Sequence, residues 1–291
     1  MSKAVISSLQ LPMDEYSSIA HWAQDMEEWV KKSKEDGAAL VLFPEYGSLS
    51  LGSLLPEKDR AVGDDMMRAM QKFLPEFHST FKDLAQRYDI IIVTSSFPVV
   101  EEDDAIYNRA FVYSPDGLQG HQDKLILTRF ERERSSVKAG NNIKMFDAPF
   151  GRFAIAICFD SEFPVIVRKM VDADARVILV PSCTGSMAGF HRVRIGSQAR
   201  ALENQIPIVQ SVTVGDAPWQ TIANTNHGCA GFYSPPDNGF PADGIMTIGA
   251  PDVPCIVSME IDFNAFSDIR SNGHVLNWSY WNEQDRQVKV A

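Results

Sequence analysis

Apolar residues in this chain follow two rhythms that alternate along its length. Runs such as Ala4–Leu9, Ala38-Ala-Leu-Val-Leu-Phe43, Ile90-Ile-Ile-Val-Thr94, Phe153-Ala-Ile-Ala-Ile157 and Val177-Ile-Leu-Val180 are short and free of charge, as expected of strands buried on both faces. Between them, Ile19, Trp22, Ala23, Met26, Trp29 and Val30 recur at helical spacing until Gly37 closes the helix. A second helical stretch covers Asp64 to Tyr88, with a break expected near Pro75, whose ring nitrogen cannot donate a backbone hydrogen bond. Asn108–Tyr113 reads as a strand running into the turn Ser114-Pro-Asp-Gly117. Helices are expected after Cys158 as far as about Ala173, and again up to Asn204. Later strands are expected at Ile208–Val212, Ala230–Tyr233 and Cys255–Met259. No internal repeat, low-complexity tract or linker interrupts this order. The pattern predicts a layered α/β fold around a mixed sheet.

Composition narrows the function more than the fold. Over 291 residues the formal net charge is -11, which argues against a nucleic-acid or anionic-membrane surface. No apolar run approaches the roughly 20 residues needed to span a bilayer. The start, Met1-Ser-Lys-Ala-Val-Ile, lacks the pattern of a secretory leader. The cysteines at 158, 183, 229 and 255 form no CxxC pair and no metal-ligand rhythm. A cytoplasmic enzyme with free thiols, no metal and no cofactor is the expectation.

Three polar residues break the apolar pattern where chemistry explains them. Cys158 ends a charge-free run and is followed by Asp160, Ser161, Glu162 and Pro164, which together resemble a helix start. A thiol between a strand and a helix N-terminus is expected to favour its thiolate form. Glu45 follows the strand that ends at Phe43, where an unpartnered carboxylate would be costly to bury. Lys124 lies in Gly120-His-Gln-Asp-Lys-Leu-Ile-Leu127. Glu45 and Cys158 both stand at strand ends, and a carboxylate, an ammonium and a thiol together can perform acyl transfer. An ion pair beside an unrelated buried cysteine is the alternative, and spacing alone does not decide between them.

Phe43-Pro44-Glu45, Asp123-Lys124-Leu125 through Glu131, and Gly151-Arg-Phe-Ala-Ile-Ala-Ile-Cys-Phe-Asp-Ser-Glu-Phe-Pro164 resemble the three motifs of the nitrilase superfamily of carbon–nitrogen hydrolases. Arg200-Ala-Leu-Glu-Asn-Gln205 is a further shared segment, and the likeness spans about residues 3 to 265. The region from Val180-Pro-Ser-Cys183 to Asp216-Ala-Pro-Trp219 is similar to the branch sometimes fused to an acetyltransferase domain. The resemblance implies a four-layer α-β-β-α sandwich over residues 1–265, with 266–291 as a tail packed on the body or on a dimer partner.

It also implies roles. Glu45 is the general base, Cys158 the nucleophile that forms a thioester, and Lys124 with the Phe159 N–H holds the oxyanion. A second glutamate orients the lysine or the substrate; Glu131 is the choice, with Glu133 the competitor in Arg129-Phe-Glu-Arg-Glu-Arg134. Glu162 and Ser182 join Phe159 as oxyanion or substrate-binding positions, Glu162 as a helix-terminus acid rather than a further catalytic group. Asp160 after Phe159 favours amides over nitriles, because nitrilases usually carry Trp-Glu there. His121-Gln-Asp replaces the usual approach to the lysine.

A Cys183–His191 pair is the competing constellation, and it lacks an orienting partner. HExxH, GxSxG, Walker and GxGxxG patterns do not occur. The expected function is hydrolysis of a small carboxamide by a likewise expected homodimer. A nitrilase and a catalytically silent member of the fold are the alternatives.

Overall fold

Strands and helices do alternate, and the strands join edge to edge into two halves of one curled sheet. The computed structural model describes residues 2–60 and 62–286. In chain order the elements are β1 (Lys3–Pro12), α1 (Ile19–Glu35), β2 (Ala38–Leu42), α2 (Gly63–Ala69), α3 (Leu74–Tyr88), β3 (Ile91–Val93), β4 (Phe97–Val100), β5 (Ile106–Ser114) and β6 (Gly117–Asp123). There follow α4 (Arg129–Arg134), β7 (Val137–Lys138), β8 (Met145–Ala148), β9 (Gly151–Ile155), α5 (Pro164–Asp172), β10 (Val177–Ser182), α6 (Met187–Asn204) and β11 (Ile208–Asp216). The last are β12 (Thr225–Asn226), β13 (Gly231–Tyr233), β14 (Ile245–Ile248), β15 (Cys255–Asp262), α7 (Phe263–Asn272) and α8 (Asn277–Tyr280).

In the first half β1, β2 and β3 are parallel, flanked by β15 antiparallel to β1 and by β5 antiparallel to β3. In the second half β9, β10 and β11 are parallel, flanked by β8 and β13. The halves join where Gln10, Leu11 and Pro12 of β1 align with Val212, Thr213 and Val214 of β11. Because β6 is antiparallel to β5, it runs in the direction of β3. The carboxyl ends of β2, β6, β9 and β10 therefore gather at one edge of the molecule, the usual place for a site in an α/β sheet.

Period-two alternation divides β1, β2, β3 and β5 between two cores. Leu40, Leu42, Ile91, Val93, Ala110 and Val112 face the second half of the sheet, in one core with Val167 and Met170 of α5 and Val193 and Ala201 of α6. Val41, Phe43, Ile90, Ile92 and Phe111 face the other way, onto Trp22, Met26 and Val30 of α1 and Phe77 and Phe81 of α3. The order across the molecule is helix, sheet, sheet, helix, the four-layer sandwich expected from the motifs.

Local departures have physical causes. The helical break falls at Met70–Phe73, and Pro75 sits in the first turn of α3, where its missing N–H is not needed. The helix expected directly after Cys158 begins only at Pro164. Cys158–Glu162 is instead a tight 3-10 turn, with Cys158 itself left-handed at φ 49°. β4, β8 and β14 are too short and mixed in composition to stand out in the sequence.

At the C-terminal end, the boundary expected at 265/266 falls inside α7. The Trp278 ring lies 4.0 Å from the Arg168 guanidinium and 4.2 Å from that of Arg270. Residues 287–291 of the expected tail lie outside the described residues. No helix among the described residues is long and apolar enough to cross a membrane.

Candidate active site

Four ionisable side chains from four segments meet at the strand ends. Glu45 follows β2, Lys124 follows β6, Glu131 lies in α4, and Cys158 follows β9. Lys124 Nζ is 2.8 Å from Glu45 Oε1 and 2.8 Å from Glu131 Oε2. The Cys158 thiol donates to the carbonyl oxygen of Cys183 at 3.8 Å, and it lies near enough to Glu45 for each to act on the other's pKa. All four side chains are buried, at the base of a cleft of about 610 Å³. An ammonium between two carboxylates, all out of water, is held only because each charge has partners.

Local sequence sets each position. Tyr46, left-handed at φ 55°, turns the chain sharply after Glu45, and its N–H donates to Ser96 Oγ at 2.8 Å. Glu131 closes a capping box: the Thr128 N–H and hydroxyl both donate to its Oε2 at 2.8 Å, while the Glu131 N–H donates back to Thr128 Oγ1. This fixes the choice between the two glutamates geometrically. Glu133 points into solvent and pairs with Arg129 on the surface at 2.7 Å. The Tyr46 hydroxyl also donates to Glu131, at 3.0 Å.

The electrostatics separate the two carboxylates. Burial raises the pKa of Glu45, and Glu131 adds to the rise, against the opposing pull of Lys124. Burial works on Glu131 too, but Lys124 and the Thr128 donors overcome it and hold its pKa below the ordinary value. Burial pulls Lys124 down, and the two carboxylates outweigh it, so it stays an ammonium. Two neighbouring acids pushed apart in this way divide into a permanent anion and a proton carrier. For Cys158 the expectation of a favoured thiolate is corrected. Burial, and then Glu45, push its pKa well up, and α5 begins too late to offer its N-terminus to the sulfur. At rest the group is a neutral thiol beside a base.

Other expected positions divide. Phe159 and Glu162 line the cleft. Burial raises the pKa of Glu162, opposed by Arg192 on α6. Ser182 does not line the cleft: its hydroxyl is fully buried and donates to the Val180 carbonyl at 3.1 Å. The neighbouring Cys183 and Thr184 line it instead, because β10 ends between them and Ser182. Cys183 does not pair with His191. Its sulfur donates to Asn226 at 3.2 Å, burial pushes its pKa up to about 12, and His191 is exposed on α6. Asp160 does not line the cleft either. It accepts from the N–H groups of Leu125, Ile126 and Ile157 at 2.7–3.1 Å and so ties the lysine loop to the cysteine turn.

Three contributors escaped the sequence reading. Asn108 on β5 donates to Glu45 Oε1 at 2.8 Å, and the Cys183 N–H donates to Glu45 Oε2 at 3.0 Å. The third is the Asp160 strap just described. A signal existed for one of them: Asn108 is an uncharged polar residue inside an otherwise buried strand. Among the described residues no group of three or more His, Cys, Asp or Glu side chains is placed to hold a metal.

A buried thiol, an ammonium and two carboxylates thus meet at the strand ends of an α-β-β-α sandwich, and comparison with known proteins gives the class. The sequence model of the Carbon-nitrogen hydrolase family matches residues 5–239. This chain belongs to that family. It is 33% identical over 270 residues to the Bacillus subtilis (strain 168) protein "Probable hydrolase YhcX", covering 93% of this chain and 52% of that one. It thus spans about half the length of that relative. It is 26% identical over 203 residues to the deaminated glutathione amidase of Dictyostelium discoideum, covering 65% of this chain and 67% of that one. The crystal structure of a carbon–nitrogen hydrolase from Helicobacter pylori G27 matches with a TM-score of 0.76 at 16% identity, covering 98% of this chain and 95% of that one.

Proposed function

We propose that this protein is a cysteine-dependent amidase of small carboxamides, acting through a thioester. The observation that carries this reading is a buried thiol and a buried glutamate lining one cleft, each acting on the other's pKa, with an ammonium 2.8 Å from the same glutamate. The amidase name of the Dictyostelium relative supports an amide over a nitrile.

The chemistry follows from these positions. Glu45 takes the Cys158 proton as the sulfur attacks the carbonyl carbon, and the carbonyl π pair moves onto oxygen. Lys124 Nζ and the Phe159 N–H receive that oxyanion. As the tetrahedral centre collapses, the C–N bond breaks and Glu45 gives its proton to the departing amine. Water then attacks the thioester as Glu45 takes its proton; the C–S bond breaks, Glu45 returns that proton to the sulfur, and the carboxylic acid is released. Glu131 keeps Lys124 charged and in place while Glu45 changes state.

The test is ammonia release across a panel of small amides and nitriles, with intact-mass detection of the acyl-enzyme. Wild type should release ammonia from amides, and Cys158→Ala should lower the rate by at least about a thousandfold. Its kcat/KM should fall as pH drops through the raised pKa of Glu45, so the acid limb lies above the ordinary glutamate range. If wild type forms no adduct and Cys158→Ala behaves like Cys183→Ala, the reading fails and the silent-member alternative stands.

A further inference from the structure

Asn108 touches three of the four groups just described without being one of them. Its Nδ2 donates to Glu45 Oε1 at 2.8 Å and reaches Glu131 Oε1 only at 3.4 Å. Its backbone carbonyl accepts from the Lys124 N–H at 2.9 Å. The side chain is fully buried, and its Oδ1 has no hydrogen-bond partner among the described residues. A buried acceptor left unpaired costs free energy, so the amide does not sit there for the sake of stability alone.

A count of lone pairs shows what it does. Each carboxylate oxygen accepts about two hydrogen bonds. Glu45 Oε1 already receives Lys124 Nζ and Asn108 Nδ2. Oε2 receives the Cys183 N–H at 3.0 Å. One acceptor position remains, and it is on Oε2. A neutral donor at Oε1 achieves this without a second positive charge, which would hold Glu45 too firmly as an anion to take a proton.

We propose that Asn108 is a positioning residue that occupies Glu45 Oε1 and thereby makes Oε2 the oxygen that exchanges a proton with Cys158. This rests on Glu45 being the base of the proposed reaction. Asn108 takes no part in bond making; it acts through Glu45.

Two substitutions test it in the full chain. Asn108→Asp keeps the shape and turns a donor into an acceptor, whereas Asn108→Ser shortens the side chain and withdraws its donor from Glu45. The first measurement is the pH dependence of Cys158 alkylation by iodoacetamide, followed on the Cys158 peptide, with Glu45→Gln defining the profile without the base. Both variants should move the acid limb up by about one pH unit or more, Asp further than Ser, because each raises the proton affinity of Glu45. The second measurement is turnover of the best amide. There kcat should fall by about ten- to a hundredfold while KM stays within about threefold.

Either variant that retains the wild-type urea midpoint suffices, since the expected sign is the same for both. An unmoved acid limb overturns the proposal, as does a change in KM alone. If wild type turns over no amide or nitrile, the hydrolase reading fails, and the alkylation limb still decides the role of Asn108. If turnover is as proposed and the limb stays put, only Asn108 loses its role.

Discussion

Glu131 and Glu133 sit two positions apart in the same charged run, yet one is buried against Lys124 and the other is exposed against Arg129. The difference follows from Thr128. A Thr at the N-cap takes the glutamate three residues on into a capping box, and that residue is Glu131. The carboxylate held in that box also meets Lys124, whose Nζ lies 2.8 Å from Oε2 and 3.0 Å from Oε1. Glu131→Gln should lower kcat by at least about a hundredfold, because Lys124 loses the anion that keeps it charged while Glu45 is protonated. Glu133→Gln should leave kcat within about twofold and stability within about 0.5 kcal/mol, as expected for an exposed i,i+4 pair. Steady-state kinetics and urea melts of the two variants check both. Glu45 and Cys158 were legible in the sequence from their place at the ends of apolar runs, and Lys124 from its place just before one. The protonation state of Cys158 was not, since it depends on burial and on Glu45, which is distant in sequence.

At the scale of elements, the site is held by connections between loops. Asp160 receives the amides of Leu125 and Ile126 from the lysine loop and that of Ile157 from the cysteine turn. Burial raises its pKa to about 7, although those amides pull the other way. The folded-state pKa lies above the unfolded value of 3.8, so the associated stability is complete below about pH 3.8 and is lost as pH rises through about 7. Asp160→Asn removes this dependence. It also sets an amide NH2 against backbone donors, so the variant should be less stable by about 2 kcal/mol at pH 5 and show a flatter stability profile from pH 4 to 7. Urea unfolding of wild type and variant across that range measures it. A falling wild-type curve with no difference in slope between the two would assign the dependence to other groups. The sequence offered Asp160 as a clue to substrate choice; its structural task became visible only when its hydrogen bonds were.

At the scale of the whole molecule, the proposed base and the proposed nucleophile belong to different halves of the sheet. Glu45 follows β2 in the first half, while Cys158 follows β9 in the second, and the Cys183 N–H after β10 reaches across to Glu45. Packing that keeps the four layers in register therefore also keeps the site assembled. The outer layer of α1 and α3 depends on a cluster in which Phe77 lies 5.7 Å from Trp22, 4.8 Å from Phe81 and 5.1 Å from Phe97. Phe77→Ala should cost about 3–5 kcal/mol, lowering the urea midpoint, with kcat per folded molecule little changed because the cluster is remote from the cleft.

By itself the sequence determined the alternation of strands and helices and the polar residues, Glu45 and Cys158, that follow apolar runs. These are encoded locally, in periodicity and in polar residues that interrupt apolar runs. Only the tertiary structure decided that Cys158 is a neutral thiol, that Glu131 rather than Glu133 meets the lysine, that Ser182 turns away from the cleft, and that Asn108 and Asp160 hold the arrangement together. Each of those depends on burial and on partners brought from other strands, and neither is a property of a residue's neighbours in the chain.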